Sequence, residues 1–465
     1  MKKKLLSMCL GLLFCGSAMA QMQILYGGAS LTTTTLTDGT TLVQFPEDVV
    51  FNTTDFQNKI SVTVDGNSVA NDAIVPNPAT TFITDNEIET FVYGGKAYSF
   101  RFTAGQYFTV VMFSDPHVAE DSGISVADMQ TKATNMINST YTFDELPGYQ
   151  GKADIVFCLG DMDTDNASDA NDFNSAMKPF ADAKIPFITL TGNHDLLPDY
   201  YWNNGDLTYN LTGTSHDRTS LDAVKSHYNT AATNGGFTVD RIYDTECDAN
   251  FVIEHFAFKY KGVRFYCANN YWFQKSHDSG SLTTKSEKTY AADGTINALK
   301  AYLEKKNSDG TSYKEDPAVW VSHYPFYSEA NNFNDASARW WLDQSNSGDG
   351  YEGRCLMPVD AASSEFYGTG SSVPVYTSDE GRAIAEKKRK ALADIIVQTK
   401  NPRHFSGHAH KNDGQTVTAN NGSTFRDHTI QPITNTGVSN SLEGNTFAVL
   451  CKSGVGIIAV KRVTF

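Results

Sequence analysis

Five short clusters in this 465-residue chain concentrate side chains that can bind metal or move protons. They are SDPH (114–117), LGDMD (159–163), TGNHD (191–195), VSHYP (321–325) and SGHAH (406–410). The candidate groups are Asp115, His117, Asp161, Asn193, His194, Asp195, His323, His408 and His410. Of the eleven histidines in the chain, five fall in these clusters, which a random scatter would not produce. Carboxylate oxygens mixed with imidazole nitrogens suit Mn, Fe or Zn rather than calcium, which prefers oxygen alone. The set is too large for one four-coordinate ion. It suits two ions about 3.5–4 Å apart sharing a bridging carboxylate, an arrangement associated with phosphoryl-group hydrolysis.

The acidic stretch CLGDMDTDNASDAND (158–172) invites a competing calcium-loop reading, because Asp161, Asp163 and Asp165 alternate. Counted from Asp161, such a loop wants Gly at its sixth position and Glu at its twelfth. Asn166 and Asp172 stand there. The segment before it, ADIVFCL (153–159), is a short apolar, β-branched run that reads as a buried strand and not as the helix a calcium loop leaves. Asp163, Asp165, Asp169 and Asp172 then read as a solvated loop and a helix start, where carboxylates suit the helix dipole.

The elements that would position the clusters follow from periodicity. FTVVMFSDPH (108–117), ADIVFCLGD (153–161), IPFITLTGNHD (185–195), PAVWVSH (317–323) and PRHFSGHAH (402–410) each read as a strand ending in the polar cluster. Helical spacing intervenes at 126–138, 169–183, 295–307 and 380–400. Strands alternating with helices predict an α/β fold with parallel pairing, in which sites form beyond the carboxyl ends of strands. The runs at 251–273 and 446–463 predict hairpins, the first turning at Lys261-Gly262. Residues 21–105 are Thr-rich with short alternating runs and predict a small all-β module, with a sandwich as its candidate form and no catalytic constellation of its own. Two polar insertions, about 196–248 and 326–379, separate these elements. Trp340 and Trp341 lie in the second, and Tyr271, Trp272 and Tyr324 lie near cluster-bearing strands. Local packing is their default role, with a lid over the site as the alternative.

The ordered set D-x-H, G-D, G-N-H-D, H and G-H-x-H resembles the calcineurin-like metallophosphoesterases over about 107–465. The resemblance implies a β-sandwich flanked by helices within a domain at 106–465. It implies that Asp115, His117 and His410 hold one metal, that Asn193, His323 and His408 hold a second, and that Asp161 bridges them. The cofactors would be two divalent or mixed-valence ions (Mn, Fe or Zn), and the substrate a phosphate mono- or diester attacked by a metal-bridging hydroxide. His194 would protonate the leaving group, and Asp195 would orient His194. Thr164 stands where purple acid phosphatases carry a tyrosine ligand, and GDMDTD lacks the G-D-x-x-D-R-G pattern of the Ser/Thr protein phosphatases. An iron–tyrosinate centre and phosphoprotein substrates are therefore not expected. His255 and His404 read as satisfied core residues, and His216, His227, His277 and His428 as exposed.

The first twenty residues, with Lys2, Lys3 and Lys4, an apolar run and Ala18-Met-Ala20, read as a signal peptide cleaved near Ala20. Phe14 before Cys15 fits a lipoprotein signal poorly. Export to the periplasm or the medium, without a transmembrane segment, is the expectation. The net charge of −16 becomes −19 once those three lysines are lost, which disfavours broad contact with nucleic acid. Cys158 and Cys267 lie in apolar runs and read as buried thiols; Cys247 and Cys355 are a possible bridge that spacing does not establish. The competing function is a non-catalytic exported binding protein that keeps the phosphoesterase fold. The sequence leaves the oligomeric state open.

Overall fold

The computed structural model describes residues 21–465 apart from 47–48, 52, 70–84, 86, 120–122, 163–166, 193–194, 196–199, 204–205, 210–214, 244–253, 269–290, 324, 327–389, 408–411 and 435–443. The chain divides into two compact units, Met1–Gly105 and Gln106–Phe465. The first holds two four-stranded sheets. One runs Ala29–Ser30, Met22–Tyr26, Ile60–Val64, Asn67–Ser68; the other runs Thr32–Thr35, Thr41–Phe45, Lys96–Ala104, Ile88–Tyr93. Their inner faces share one apolar core that includes Ile24, Val43, Phe45, Val62, Phe91 and Phe102. The helical turn Thr54–Lys59 is capped by Thr53, whose hydroxyl accepts from the Phe56 N–H at 3.1 Å, and it delivers the Phe56 ring onto Phe45.

The second unit is a mixed α/β body with two larger sheets. Their strands are β1 (Tyr107–Phe113), β2 (Ala153–Cys158), β3 (Phe187–Thr189), β4 (Val239–Tyr243), β5 (Glu254–Tyr260), β6 (Val263–Ala268), β7 (Pro317–Ser322), β8 (Lys400–Ser406), β9 (Asp413–Thr418), β10 (Thr424–Thr429), β11 (Thr446–Lys452) and β12 (Gly456–Val463). One sheet has the order β3-β2-β1-β11-β12, with β1, β2 and β3 parallel and β11–β12 added as an antiparallel hairpin. The other has the order β4-β5-β6-β7-β8-β10-β9, with β6, β7, β8 and β10 parallel. Every residue of β1, β6 and β7 is buried, as strands covered on both faces require. The β5–β6 hairpin turns at Lys261 (φ 44°) and Gly262 (φ 72°), the two positive-φ positions of a type I′ turn. The sheets meet through Phe157 of β2, 5.5 Å from Phe265 of β6, and through Phe405 of β8, 5.3 Å from Phe447 of β11.

Helices α1 (Val126–Asn138), α2 (Ala167–Ala176), α3 (Lys178–Asp182), α4 (Ser215–Gly235) and α5 (Ala291–Leu303) flank the sheets. The single helix expected over 169–183 is two, because Pro179 lies in the first turn of α3 and cannot donate back to α2. Helix α5 buries Ile296, Leu299 and Leu303, spaced three and four apart, in a core with Tyr266 and Trp320, whose rings stack 4.1 Å apart. The polar stretch 196–248 is partly regular: it supplies the strand pair Tyr200–Asn203 and Asp206–Tyr209, helix α4, and β4.

Two histidines differ from expectation. His227 is half-buried on α4 between Thr189 (Nδ1 to Oγ1, 3.0 Å) and Asn174 (Nε2 to Oδ1, 2.9 Å), and burial pushes it down to about 4. His428 stacks on Phe405 at 4.9 Å, and burial, then neighbouring arginines, push it down to about 3. The reason is shared: a helix or strand with a polar sequence still turns one face inward. Residues His277, Tyr271, Trp272, Tyr324, Trp340, Trp341, Cys247 and Cys355 lie outside the described residues, as does the side chain of His216. Cys158, Cys267 and Cys451 are buried thiols. Among the described residues no helix is long and apolar enough to cross a membrane.

A buried ion cluster closes the ends of β6 and β7 where these strands begin. Arg264, 3% exposed, donates from Nε to Asp316 Oδ2 at 2.8 Å, and also bonds Tyr302 and Asn307. Removing one partner of such a pair leaves a buried charge uncompensated. Asp316→Ala should therefore lower unfolding free energy by about 3–5 kcal/mol, read from the denaturant midpoint. The site described next lies at the other end of β7, about 20 Å away at strand rise, so ion binding there should be unaffected.

Candidate metal centre

The centre forms where β1, β2 and β3 of one sheet and β7 and β8 of the other run out. Asp115 and His117 follow β1, Asp161 follows β2, Asp195 follows β3, and His323 follows β7. All five are buried, Asp115, Asp195 and His323 at 0% exposure. Backbone bonds lock the first two loops together: Asp115 N donates to Gly160 O, and His117 N to Asp161 O, each at 3.1 Å.

Asp115, His117 and Asp161 have φ of 51°, 43° and 53°, a left-handed conformation that costs energy for a residue with a side chain. Three such residues in one cluster point to an arrangement held for use. Pro116, with its fixed φ, separates the first two and sets their divergence. One donor atom from each of Asp115, His117 and Asp161 lies within 4.8 Å of the others, a group able to hold a metal ion.

His323 joins them. Its Nε2 is 3.2 Å from Asp161 Oδ2, while its Nδ1 donates to the Leu159 carbonyl at 2.8 Å. That carbonyl fixes the tautomer and directs Nε2 inward, as a backbone partner does for metal-binding histidines. Burial alone would push His323 down. Asp161, with its hydrogen bond, then Asp115 and the Leu159 carbonyl more than offset this, and raise it to about 9. The protein groups thus favour positive charge on this nitrogen, and a cation shared with Asp161 can take the place of that proton.

Three glycines explain how the loops approach so closely. A Cβ at Gly160 would sit 2.5 Å from His323 Nδ1, one at Gly192 would sit 2.1 Å from Asp161 Oδ1, and one at Gly407 would sit 2.5 Å from Asp115 Oδ2. Side chains at these positions would occupy the ligand cradle itself. The donor set, the strained backbone and this cradle all fit a bound divalent ion. Gly192→Ala should displace Asp161 and weaken ion binding by about 10–100-fold, the scale of losing a ligand's support, in a calorimetric titration.

Asp195 has a backbone role that its sequence position did not reveal. Its Oδ1 accepts from Met162 N at 2.9 Å and its Oδ2 from Gly192 N at 2.7 Å, which ties the Asp161 loop to the loop after β3. Asn193, His194, His408 and His410 lie outside the described residues. The glycines immediately before them, Gly192 and Gly407, stand against Asp161 and Asp115 respectively.

The family model for calcineurin-like phosphoesterases (Metallophos) matches residues 108–349, just over half of the chain. The chain belongs to that family. Four of the five clusters lie inside the matched span, and SGHAH (406–410) lies beyond it. The two packed sheets with flanking helices are the metallophosphoesterase fold, and the chain also carries N-terminal β sheets. Among solved structures, one described as GAP50, the anchor in the inner membrane complex of Plasmodium, is 12% identical. The match covers 77% of this chain and 89% of that one, at a TM-score of 0.27, too low to carry an argument. Comparison with curated proteins returns no match.

Proposed function

We propose that this calcineurin-like phosphoesterase is an exported hydrolase of phosphate mono- or diesters that works with two bound metal ions. The observation that carries the reading is the buried Asp115–His117–Asp161 group, strained at all three residues and joined by His323, in a chain of this family. Bound ions would supply Lewis-acid charge for the phosphoryl oxygens and an activated water. In this reading Asp115, His117 and His410 would hold one ion, Asn193, His323 and His408 would hold the other, and Asp161 would serve both.

The chain's own groups do the rest. The carboxylates of Asp115 and Asp161 concentrate negative charge that only a cation can balance, which makes an anionic ester acceptable in a chain of net charge −16. His194 donates a proton to the leaving oxygen. Asp195, anchored on Met162 N and Gly192 N, holds the loop from which His194 acts and has lone pairs enough to orient its imidazole as well. Export follows from the leader ending near Ala20.

The test uses the chain without its leader, loaded separately with Mn, Zn and Fe. Hydrolysis of p-nitrophenyl phosphate and of bis-p-nitrophenyl phosphate is then followed. Metal-dependent turnover is the expected result, and the faster ester assigns monoesterase or diesterase. Absence of turnover together with absence of bound metal would reject the enzyme in favour of a binding protein.

A further inference from the structure

Behind the metal-site loop lies a buried polar relay that the proposed chemistry does not use. His404 of β8 lies between Asp427 of β10 and Ser322 at the end of β7. Its Nδ1 is 2.7 Å from Asp427 Oδ1, and its Nε2 is 2.7 Å from Ser322 Oγ. Exposures of 2%, 1% and 1% for His404, Asp427 and Ser322 place all three away from solvent. The order carboxylate–imidazole–hydroxyl matches that of a nucleophilic triad, but a fully buried hydroxyl meets no substrate. Its work must be internal.

The second oxygen of Asp427 shows what that work is. Asp427 Oδ2 accepts the Phe326 N–H at 2.9 Å, and the Phe326 ring stands edge-on to His404 at 5.0 Å. One imidazole–carboxylate unit therefore grips the chain on both sides of His323, by the Ser322 side chain and by the Phe326 backbone. Between these grips lies His323, whose Nε2 faces Asp161. We infer that His404 and Asp427 are positioning residues that hold Ser322 and Phe326 in place as a latch and so aim His323 at the metal centre. This rests on the proposal that His323 is a metal ligand.

The latch is rigid for a physical reason. A buried carboxylate and imidazole that lost either grip would forfeit a hydrogen bond in a site closed to water, so Ser322 and Phe326 cannot move away without cost. His323 is fixed on its other side by Leu159 O and by its own carbonyl, which accepts from Gly407 N at 2.9 Å.

The experiment compares the leaderless chain with His404→Gln, Asp427→Asn and Ser322→Ala, the last removing only a hydroxyl and so the safest to fold. Asp316→Asn, at the far end of β7, serves as the control for a merely structural defect. Two readouts are taken: Mn or Zn affinity by calorimetric titration, and hydrogen exchange of the Phe326 amide by mass spectrometry. A latch predicts ion affinity weakened about 10–100-fold in the three relay variants, and unchanged in Asp316→Asn even where its melting temperature falls further. Unaltered affinity in Ser322→Ala and His404→Gln would overturn the inference. If the wild-type chain takes up no ion, the metal reading fails, and exchange decides the latch alone. Faster Phe326 exchange in His404→Gln upholds it, and unchanged exchange overturns it.

Discussion

Asp161→Asn is expected to lose at least about a thousandfold in kcat/KM and most of the bound metal, while the chain stays folded. The substitution keeps the shape of the side chain and removes its charge. Asn tolerates the φ of 53° at this position, and the Asp161 carbonyl still accepts from His117 N, so the loop has no reason to collapse. What is lost is electrostatic. Asp161 Oδ2 is the carboxylate oxygen facing both His323 Nε2 at 3.2 Å and His117 Nε2 at 3.8 Å. Charge stabilisation of a phosphoryl transition state by metal ions is worth several kcal/mol, and about 4 kcal/mol is a thousandfold in rate. Rate and metal content measured on the same preparation check the prediction. A variant that kept both would remove Asp161 from the centre.

His194→Ala should separate the two quantities that Asp161→Asn moves together. A proton donor that is not a metal ligand contributes about a hundred- to ten-thousand-fold to the rate. Its removal should lower kcat by that range and leave the number of bound ions unchanged. Because the proton goes to the leaving oxygen, the defect should be small for p-nitrophenyl esters, whose leaving group needs little help, and large for alkyl esters. The check is kcat for both ester types beside elemental analysis. A loss of metal in His194→Ala, or an equal defect for both leaving groups, would reassign the residue.

The Asp115–His117–Asp161 group could be read in the sequence because these residues stand at strand ends. ADIVFCL had to be a strand by its apolar, β-branched content, so Asp161 had to stand at a carboxyl end, where SDPH and VSHYP also stood. The calcium reading failed on the same ground. Asp169 does lie in the first turn of α2, as the helix-dipole argument required. The tertiary partners were not legible. Nothing around Asp195 announces that its oxygens will bond two backbone amides from different loops, and nothing around His404 announces Asp427, twenty-three residues away and on a neighbouring strand. Both depend on sheet order, which periodicity does not give. His227 and His428 differ from expectation for a related reason, since polar neighbours in sequence say little about which face turns inward. The break between α2 and α3 was visible in principle, because Pro179 stood in plain view.

The most direct test of the account is the metal content of the purified chain. Elemental analysis after reconstitution and desalting should find two ions per chain in the wild type and fewer in Asp161→Asn. Two ions in the wild type with that dependence would establish the centre at the ends of β1, β2 and β7. No retained ion, or the same content in both proteins, would contradict it.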